Sequence, residues 1–241
     1  MNKPILISHP NKAKMIAHRG LSGIETENTA AAFVAAGQHP YFGIETDVHR
    51  TKDGQFLIIH DDDTFRISGE HHIVEETDFD TLRSLRLMDK ATGNVRHDLV
   101  LPTLSEYIRI LKHYDKHAVL EIKNPMEKAD IAEIIRLIRE EDYLTSTTFI
   151  SFDWQNMLHI RSLLPHQSAQ FLMEQWQDDL PERLARHRLD LDIYYKCLTK
   201  ERVEKLHEKG INVNVWTVDD PSSALSLCDM GVDQITSNIL L

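Results

Sequence analysis

Short apolar, β-branched runs alternate along this chain with longer segments whose apolar residues recur every three to four positions. The runs are MIAH (15–18), GIETDV (43–48), AVLEI (118–122), TFIS (148–151), AQFLM (169–173), DIYY (192–195), INVNVW (211–216) and DQIT (233–236). Helical periodicity covers Asn28–Gln38, Leu104–Tyr114, Lys128–Asp142, Trp154–Leu163, Leu180–His187, Thr199–Lys209 and Pro221–Met230. Pro102-Thr103 and Pro221-Ser222 read as helix starts, and Gly210 and Gly231 stand where C-caps belong. About eight strand–helix units predict a parallel α/β fold, best matched by a closed (β/α)8 barrel of the TIM type. A doubly wound sheet would carry GxGxxG after its first strand. The sequence there, HRGLSGIETEN, lacks that spacing. No linker or repeat divides the chain, so one domain over residues 1–241 is expected.

One segment departs from this pattern. From Asp61 to Leu101 the chain is polar and charge-rich, with no strong strand and at most a short helix around Asp80–Leu87. Such an excursion inside a compact domain reads as an insertion covering an active site.

Composition narrows the function. A net charge of -11 with 27 scattered basic residues excludes a nucleic-acid or anionic-membrane partner and points to a small molecule. Cys197 and Cys228 are the only cysteines, too few for a disulfide framework or a cysteine metal site, which fits a cytoplasmic protein. The apolar run before His9 and Pro10 is too short for a signal peptide or membrane span. Nothing in the composition speaks to oligomeric state.

Chemistry enters with GIETDVHRTKDGQFLIIH (43–60). Alternate strand positions share a face, so Glu45 and Asp47 point the same way. A two-residue turn at Asp53-Gly54 would pair Lys52 with Gln55 and bring His60 opposite Asp47. The plain reading is a half-solvated polar strand face. The functional one is a site for a hard divalent cation, since adjacent carboxylates repel unless a cation lies between them. Zn²⁺ is disfavoured by the scarcity of His and Cys at this cluster.

Active sites of (β/α)8 barrels gather at the C-terminal strand ends. Here those ends carry His18-Arg19, Glu45 and Asp47, Glu121 and Lys123, Ser151, Glu174, Lys196, Trp216 and Thr236. Glu121 offers a third carboxylate, Arg19 and Lys123 suit an anionic substrate, and His18 and His60 suit proton transfer near neutral pH. Each has a bland counterpart: a core histidine, a surface lysine paired with Glu121, a core tryptophan. Their joint placement carries the inference.

These residues resemble the glycerophosphodiester phosphodiesterase family. The resemblance rests on IAHRG (16–20), ENTAAAF (27–33), GIETDVHRTKDGQFLIIHDD (43–62), PTLSE (102–106), LEIK (120–123), SF (151–152), VNVWTVD (213–219) and GVDQITSN (231–238). It implies a (β/α)8 barrel with an insertion after the HD strand. It also implies metal-dependent hydrolysis of glycerophosphodiesters to sn-glycerol 3-phosphate and an alcohol. It assigns His18 and His60 to acid/base catalysis. Glu45, Asp47 and Glu121 would hold one divalent ion, Mg²⁺ or Ca²⁺, with Mn²⁺ a further candidate. Arg19 and Lys123 would contact phosphate, and Trp216 would line the substrate pocket. Two departures stand out: Thr26 where the family often has Pro before ENT, and Thr236-Ser237-Asn238 where it often ends in Thr-Asp near a Pro. Two rival expectations are a related phospholipase-D-like enzyme acting on lysophospholipids and a non-catalytic barrel that binds a phosphorylated ligand.

Overall fold

The computed structural model describes residues 3–8 and 13–241; His9 and Pro10, which bound the N-terminal apolar run, lie outside the described residues. Strands in chain order are β1 (Lys14–Ala17), β2 (Gly43–Arg50), β3 (Phe56–Ile58), β4 (Leu87–Met88), β5 (Val95–Arg96), β6 (His117–Ile122), β7 (Thr147–Ser151), β8 (Ala169–Met173), β9 (Asp190–Tyr194), β10 (Val213–Trp216) and β11 (Gln234–Ser237). Helices are α1 (Ala30–Gly37), α2 (Phe65–Ser68), α3 (Phe79–Ser84), α4 (Leu104–Tyr114), α5 (Lys128–Glu140), α6 (Trp154–Leu163), α7 (Leu180–His187), α8 (Lys200–His207) and α9 (Pro221–Met230).

Among the described residues, eight parallel strands pair in the order β1, β2, β6, β7, β8, β9, β10, β11, and β11 returns to β1. The ring is therefore a closed (β/α)8 barrel of the expected type. Its seam is the short β1–β2 pairing, Ile16 against Gly43 and Ala17 against Ile44. The two-residue alternation of a strand sorts the apolar side chains. Ala118, Leu120 and Ile122 of β6 join the large core between strands and helices. Val119, between them, joins Ile16, Ile150 and Leu172 in a separate buried cluster against which Trp216 packs. No helix among the described residues is long and apolar enough to cross a membrane.

Helix starts follow the local chemistry. Thr103 caps α4 in a reciprocal capping box: its hydroxyl accepts from the Glu106 amide at 3.1 Å, and Glu106 Oε2 accepts from the Thr103 amide at 2.7 Å. At α9 the cap is Asp220, with Pro221 in the first turn, and Gly231 closes the helix in the left-handed region at φ 91°.

The hairpin differs from expectation by one residue. β2 and β3 pair Val48 with Ile58, His49 with Leu57 and Arg50 with Phe56. The loop is wider than Asp53-Gly54 alone. Thr51 N–H donates to Gln55 O at 2.8 Å, and Gln55 N–H donates to the Thr51 hydroxyl at 2.9 Å. The turn therefore holds Lys52, Asp53 and Gly54, with Gly54 at φ 81°. Asp47 then meets Ile59, whose N–H donates to Asp47 O at 3.1 Å, rather than His60. β3 ends at Ile58, two residues before His60.

Segment 61–101 holds α2, α3 and the two-residue strands β4 and β5 around a small core that includes Ile67, Val74, Leu82, Leu87 and Leu101, with Leu57 and Ile59 beneath. The helix expected near Asp80–Leu87 ends at Ser84. Leu85 and Leu87, both buried and two apart, face this core in extended backbone instead.

Thr103→Ala removes one half of the capping box and is expected to cost about 1 kcal/mol. Urea unfolding would read this as a lowered midpoint with an unchanged m-value.

Candidate active site

The turn after β1 opens the site. Gly20 sits at φ 76°, and a Cβ there would fall 2.7 Å from the Ala32 backbone, so the chain can pass only without a side chain. Arg19 before it is also left-handed, at φ 53°. Its N–H donates to Glu45 Oε2 at 2.8 Å, and its carbonyl accepts from the Asn28 amide at 3.0 Å.

Glu45, Asp47 and Glu121 converge from β2 and β6, each offering one carboxylate oxygen, all within 4.8 Å of one another. They are 3%, 1% and 7% exposed, so their charge cannot be left to solvent. Lys123 Nζ stands 2.9 Å from Glu121 Oε1 and 3.5 Å from Asp47 Oδ1. Arg19 Nε lies 3.5 Å from Asp47 Oδ2, which also accepts from Asn28 Nδ2 at 2.8 Å. Thr46 fixes that amide by donating to Asn28 Oδ1 at 2.7 Å.

Two of these carboxylate oxygens, Asp47 Oδ1 and Glu121 Oε1, are buried without an aligned hydrogen bond. Burial works against ionisation of Asp47, yet Arg19, Lys123 and the Asn28 amide hold its carboxyl well below the usual range. Burial, then the Asp47 charge, pushes Glu45 well above its ordinary value and Glu121 up to about 8. An all-oxygen set with open lone pairs and too little positive charge fits a hard divalent cation.

The imidazoles flank this centre. Asn238 Nδ2 donates to Asp219 Oδ2 at 2.6 Å, which turns Asn238 Oδ1 toward Ser22 and His18. His18 Nδ1, 2.8 Å from that oxygen, therefore carries the proton, and Nε2 stands unprotonated 3.9 Å from Glu45 Oε2. Burial, reinforced by Arg19, lowers His18 to about 4. His60 Nδ1 is 2.6 Å from Asp61 Oδ1. Burial lowers His60 too, with Arg19 and Lys123 acting against the raising influence of Asp47. A carboxylate–guanidinium chain then links the two imidazole-bearing segments. Asp61 Oδ2 accepts from Arg66 Nε at 2.5 Å, Arg66 Nη2 donates to Glu27 Oε1 at 2.7 Å, and Glu27 Oε1 accepts from Arg19 Nη1 at 2.9 Å.

A cavity opens above these groups. His18, Arg19, Glu45, His60, Glu121 and Lys123 line one part of it, and Ile150, Phe152, Leu172, Asp192, Trp216 and Thr236 the rest. Trp216 meets Phe152 edge-on at 5.6 Å between ring centroids. Of the eight residues given roles by the resemblance, Asp47 alone does not line this cavity; it lies beneath, joined to the others by Arg19 and Lys123, while Ser151, Glu174 and Lys196 of the strand-end set also fall outside it.

The sequence model of the glycerophosphoryl diester phosphodiesterase family matches residues 18–239. The chain belongs to this family. A glycerophosphodiester phosphodiesterase of Caldanaerobacter subterraneus is 27% identical over 94% of both chains. Among solved structures, a phosphodiesterase of Oleispira antarctica in complex with the product sn-glycerol-3-phosphate superposes with a TM-score of 0.86, at 27% identity, covering 94% of this chain and 93% of that one. A glycerophosphodiester phosphodiesterase of Parabacteroides distasonis gives a TM-score of 0.79, at 27% identity, covering 98% and 94%.

Sequence reasoning did not single out Glu27, Asn28, Asp61, Arg66 or Asp192, and met Asn238 only as part of a departure from the family's usual strand end. Glu27 and Asn28 stand inside the family-like ENT run, Asp61 directly follows His60, and Asn238 ends the last matching segment. Those positions were the available signal. Arg66 and Asp192 had none, because their roles depend on contacts made only in the folded barrel.

Gly20→Ala places a methyl group against the Ala32 backbone in a left-handed conformation. The strain of that region alone is about 1–2 kcal/mol. The variant should melt lower and lose activity together, as read by calorimetry and turnover on one preparation.

Proposed function

We propose that this family member hydrolyses glycerophosphodiesters to sn-glycerol 3-phosphate and an alcohol at the mouth of the barrel. The observation that carries the reading is the pair of buried carboxylate oxygens, Asp47 Oδ1 and Glu121 Oε1, left without aligned donors beside Arg19 and Lys123. The Oleispira relative, which holds sn-glycerol-3-phosphate, supports the same substrate class.

Glu45, Asp47 and Glu121 would hold one divalent ion, with Mg²⁺ and Ca²⁺ best suited to the oxygen set. When bound, such an ion supplies Lewis-acid polarisation and a template for the phosphodiester. Arg19 and Lys123 meet the non-bridging oxygens, where negative charge accumulates in the transition state. With Nδ1–H engaged by Asn238 and Asp61 respectively, His18 and His60 each keep Nε2 for proton transfer. One imidazole takes the proton of the attacking hydroxyl, and the other returns a proton to the departing alkoxide. A neighbouring glycerol hydroxyl held in line gains a proximity advantage over bulk water, and hydrolysis of the resulting cyclic phosphate completes the reaction. Trp216 forms the apolar wall of the pocket, and segment 61–101 is an insertion in a single barrel domain that covers this side of the mouth. The unbridged thiols Cys197 and Cys228 suit a reducing cytosol.

The deciding assay is release of glycerol 3-phosphate from glycerophosphocholine and glycerophosphoethanolamine after chelation, then with Mg²⁺, Ca²⁺ or Mn²⁺ restored. Activity is expected only with a divalent ion, and His18→Ala and His60→Ala should each lower turnover by about 10²-fold or more while remaining folded. Full activity after exhaustive chelation would discard the ion. Wild-type turnover in both variants would discard the histidines.

The pH profile follows from the direction of the imidazole shifts. A base must be neutral to accept a proton, and both histidines are held below the ordinary value of 6.5. The acid limb, set by the base, therefore lies below that value, and the alkaline limb is set by the other imidazole, which must be protonated to act as the acid. An acid limb in kcat/KM centred above 6.5 would contradict this assignment.

A further inference from the structure

In the ring order β9 and β10 lie across the barrel from β2 and β6, facing the carboxylate cluster. Each of these two strands presents a polar atom without a partner. Asp192 of β9 is 2% exposed, and its Oδ1 accepts no hydrogen bond. Trp216 of β10 keeps a buried indole Nε1–H that donates to nothing. Both residues line the active-site cavity, beside apolar Ile150 and Leu172.

Neighbouring groups relieve these atoms only in part. Asn214, opposite Asp192 in the strand register, uses its Oδ1 for the Val215 amide and the Thr236 hydroxyl; its Nδ2 donates to Gln170 Oε1 and also reaches the Asp192 carboxyl, whose Oδ1 still lacks an aligned donor. Leaving a buried donor and a buried acceptor unpaired is unfavourable, so their shared cavity suits a group that answers both. A phosphate or carboxylate would satisfy the indole but would be repelled by Asp192 in its ionised form. An ammonium would satisfy the carboxyl but not the indole. A hydroxyl donates once and accepts twice, and it matches the Asp192 carboxyl in either protonation state.

We propose that Asp192 and Trp216 form a hydroxyl-reading subsite for the polyol half of the substrate, with Asp192 as the specificity-determining residue. This rests on the phosphodiester reading above. The phosphate then lies toward Arg19 and Lys123, and the three-carbon chain crosses the cavity so that its terminal hydroxyl, not the one adjacent to the phosphate that attacks phosphorus, reaches the β9–β10 wall. A substrate lacking that hydroxyl would leave both buried groups unpaired, the arrangement by which polar sites discriminate most strongly.

The test compares two ligands by calorimetry in the presence of the divalent ion that supports activity. One is sn-glycerol 3-phosphate and the other propyl phosphate, which keeps the phosphate and the three carbons but has no free hydroxyl. The wild-type protein should prefer glycerol 3-phosphate by about ten-fold or more. Asp192→Val should bring the two affinities within about two-fold by weakening glycerol 3-phosphate alone. Asp192→Ala, which needs no extra room, should do the same if the Val variant does not fold. Trp216→Phe keeps the ring, removes the N–H and should reduce the preference by about three-fold or more. A preference unchanged in all the folded variants would overturn the subsite while leaving the phosphodiesterase reading intact. A wild-type protein that binds neither ligand and releases no glycerol 3-phosphate from glycerophosphocholine would overturn both.

Discussion

Three acids cannot share a dry corner of a barrel without positive charge to meet them, and much of this molecule is arranged around that constraint. Arg19 and Lys123 hold Asp47 ionised, and Lys123 also reaches Glu121, yet burial and the Asp47 charge still drive Glu45 and Glu121 toward the neutral form. The backbone contributes as well. The left-handed turn at Arg19 and Gly20 presents an amide to Glu45, and the Asn28 side chain is pinned between Thr46 and Asp47. The deficit that remains suits a divalent cation at the three carboxylates.

Segment 61–101 is joined to this centre by charge rather than by shape alone. Arg66 of α2 grips Asp61 on one side and Glu27 on the other, and each carboxylate continues to a side chain that lines the cavity, His60 or Arg19. Half-exposed ion pairs taken singly contribute little. Their value here is geometric, since a shared guanidinium fixes the relative position of two segments 39 residues apart in the chain. The small core of Ile67, Val74, Leu82 and Leu87 supplies the stability that the ion pairs do not.

Much of this was legible in the linear pattern. Short apolar runs such as AQFLM mark β8 residue for residue, because that strand is buried along its whole length, and the three-to-four period of Leu104–Tyr114 marks α4 equally well, because that helix buries one face. The clustering of Glu45, Asp47 and Glu121 followed from strand ends and alternation. The hairpin register did not, because the Thr51 hydroxyl, invisible to a dipeptide turn rule, captures the Gln55 amide and widens the loop by one residue. Nor could spacing reveal Asp192 or Arg66. A lone aspartate in a strand and a lone arginine in a polar loop acquire meaning only from what the closed ring brings beside them.

The tautomer of His18 is set by Asn238, which lies 220 residues further along the chain. One end of the fold thus orients a group near the other, and it does so from the residue that follows β11, the strand that closes the ring against β1. Without that strand the imidazole loses the partner that fixes its tautomer. The state of one ring therefore depends on circular completion of the barrel.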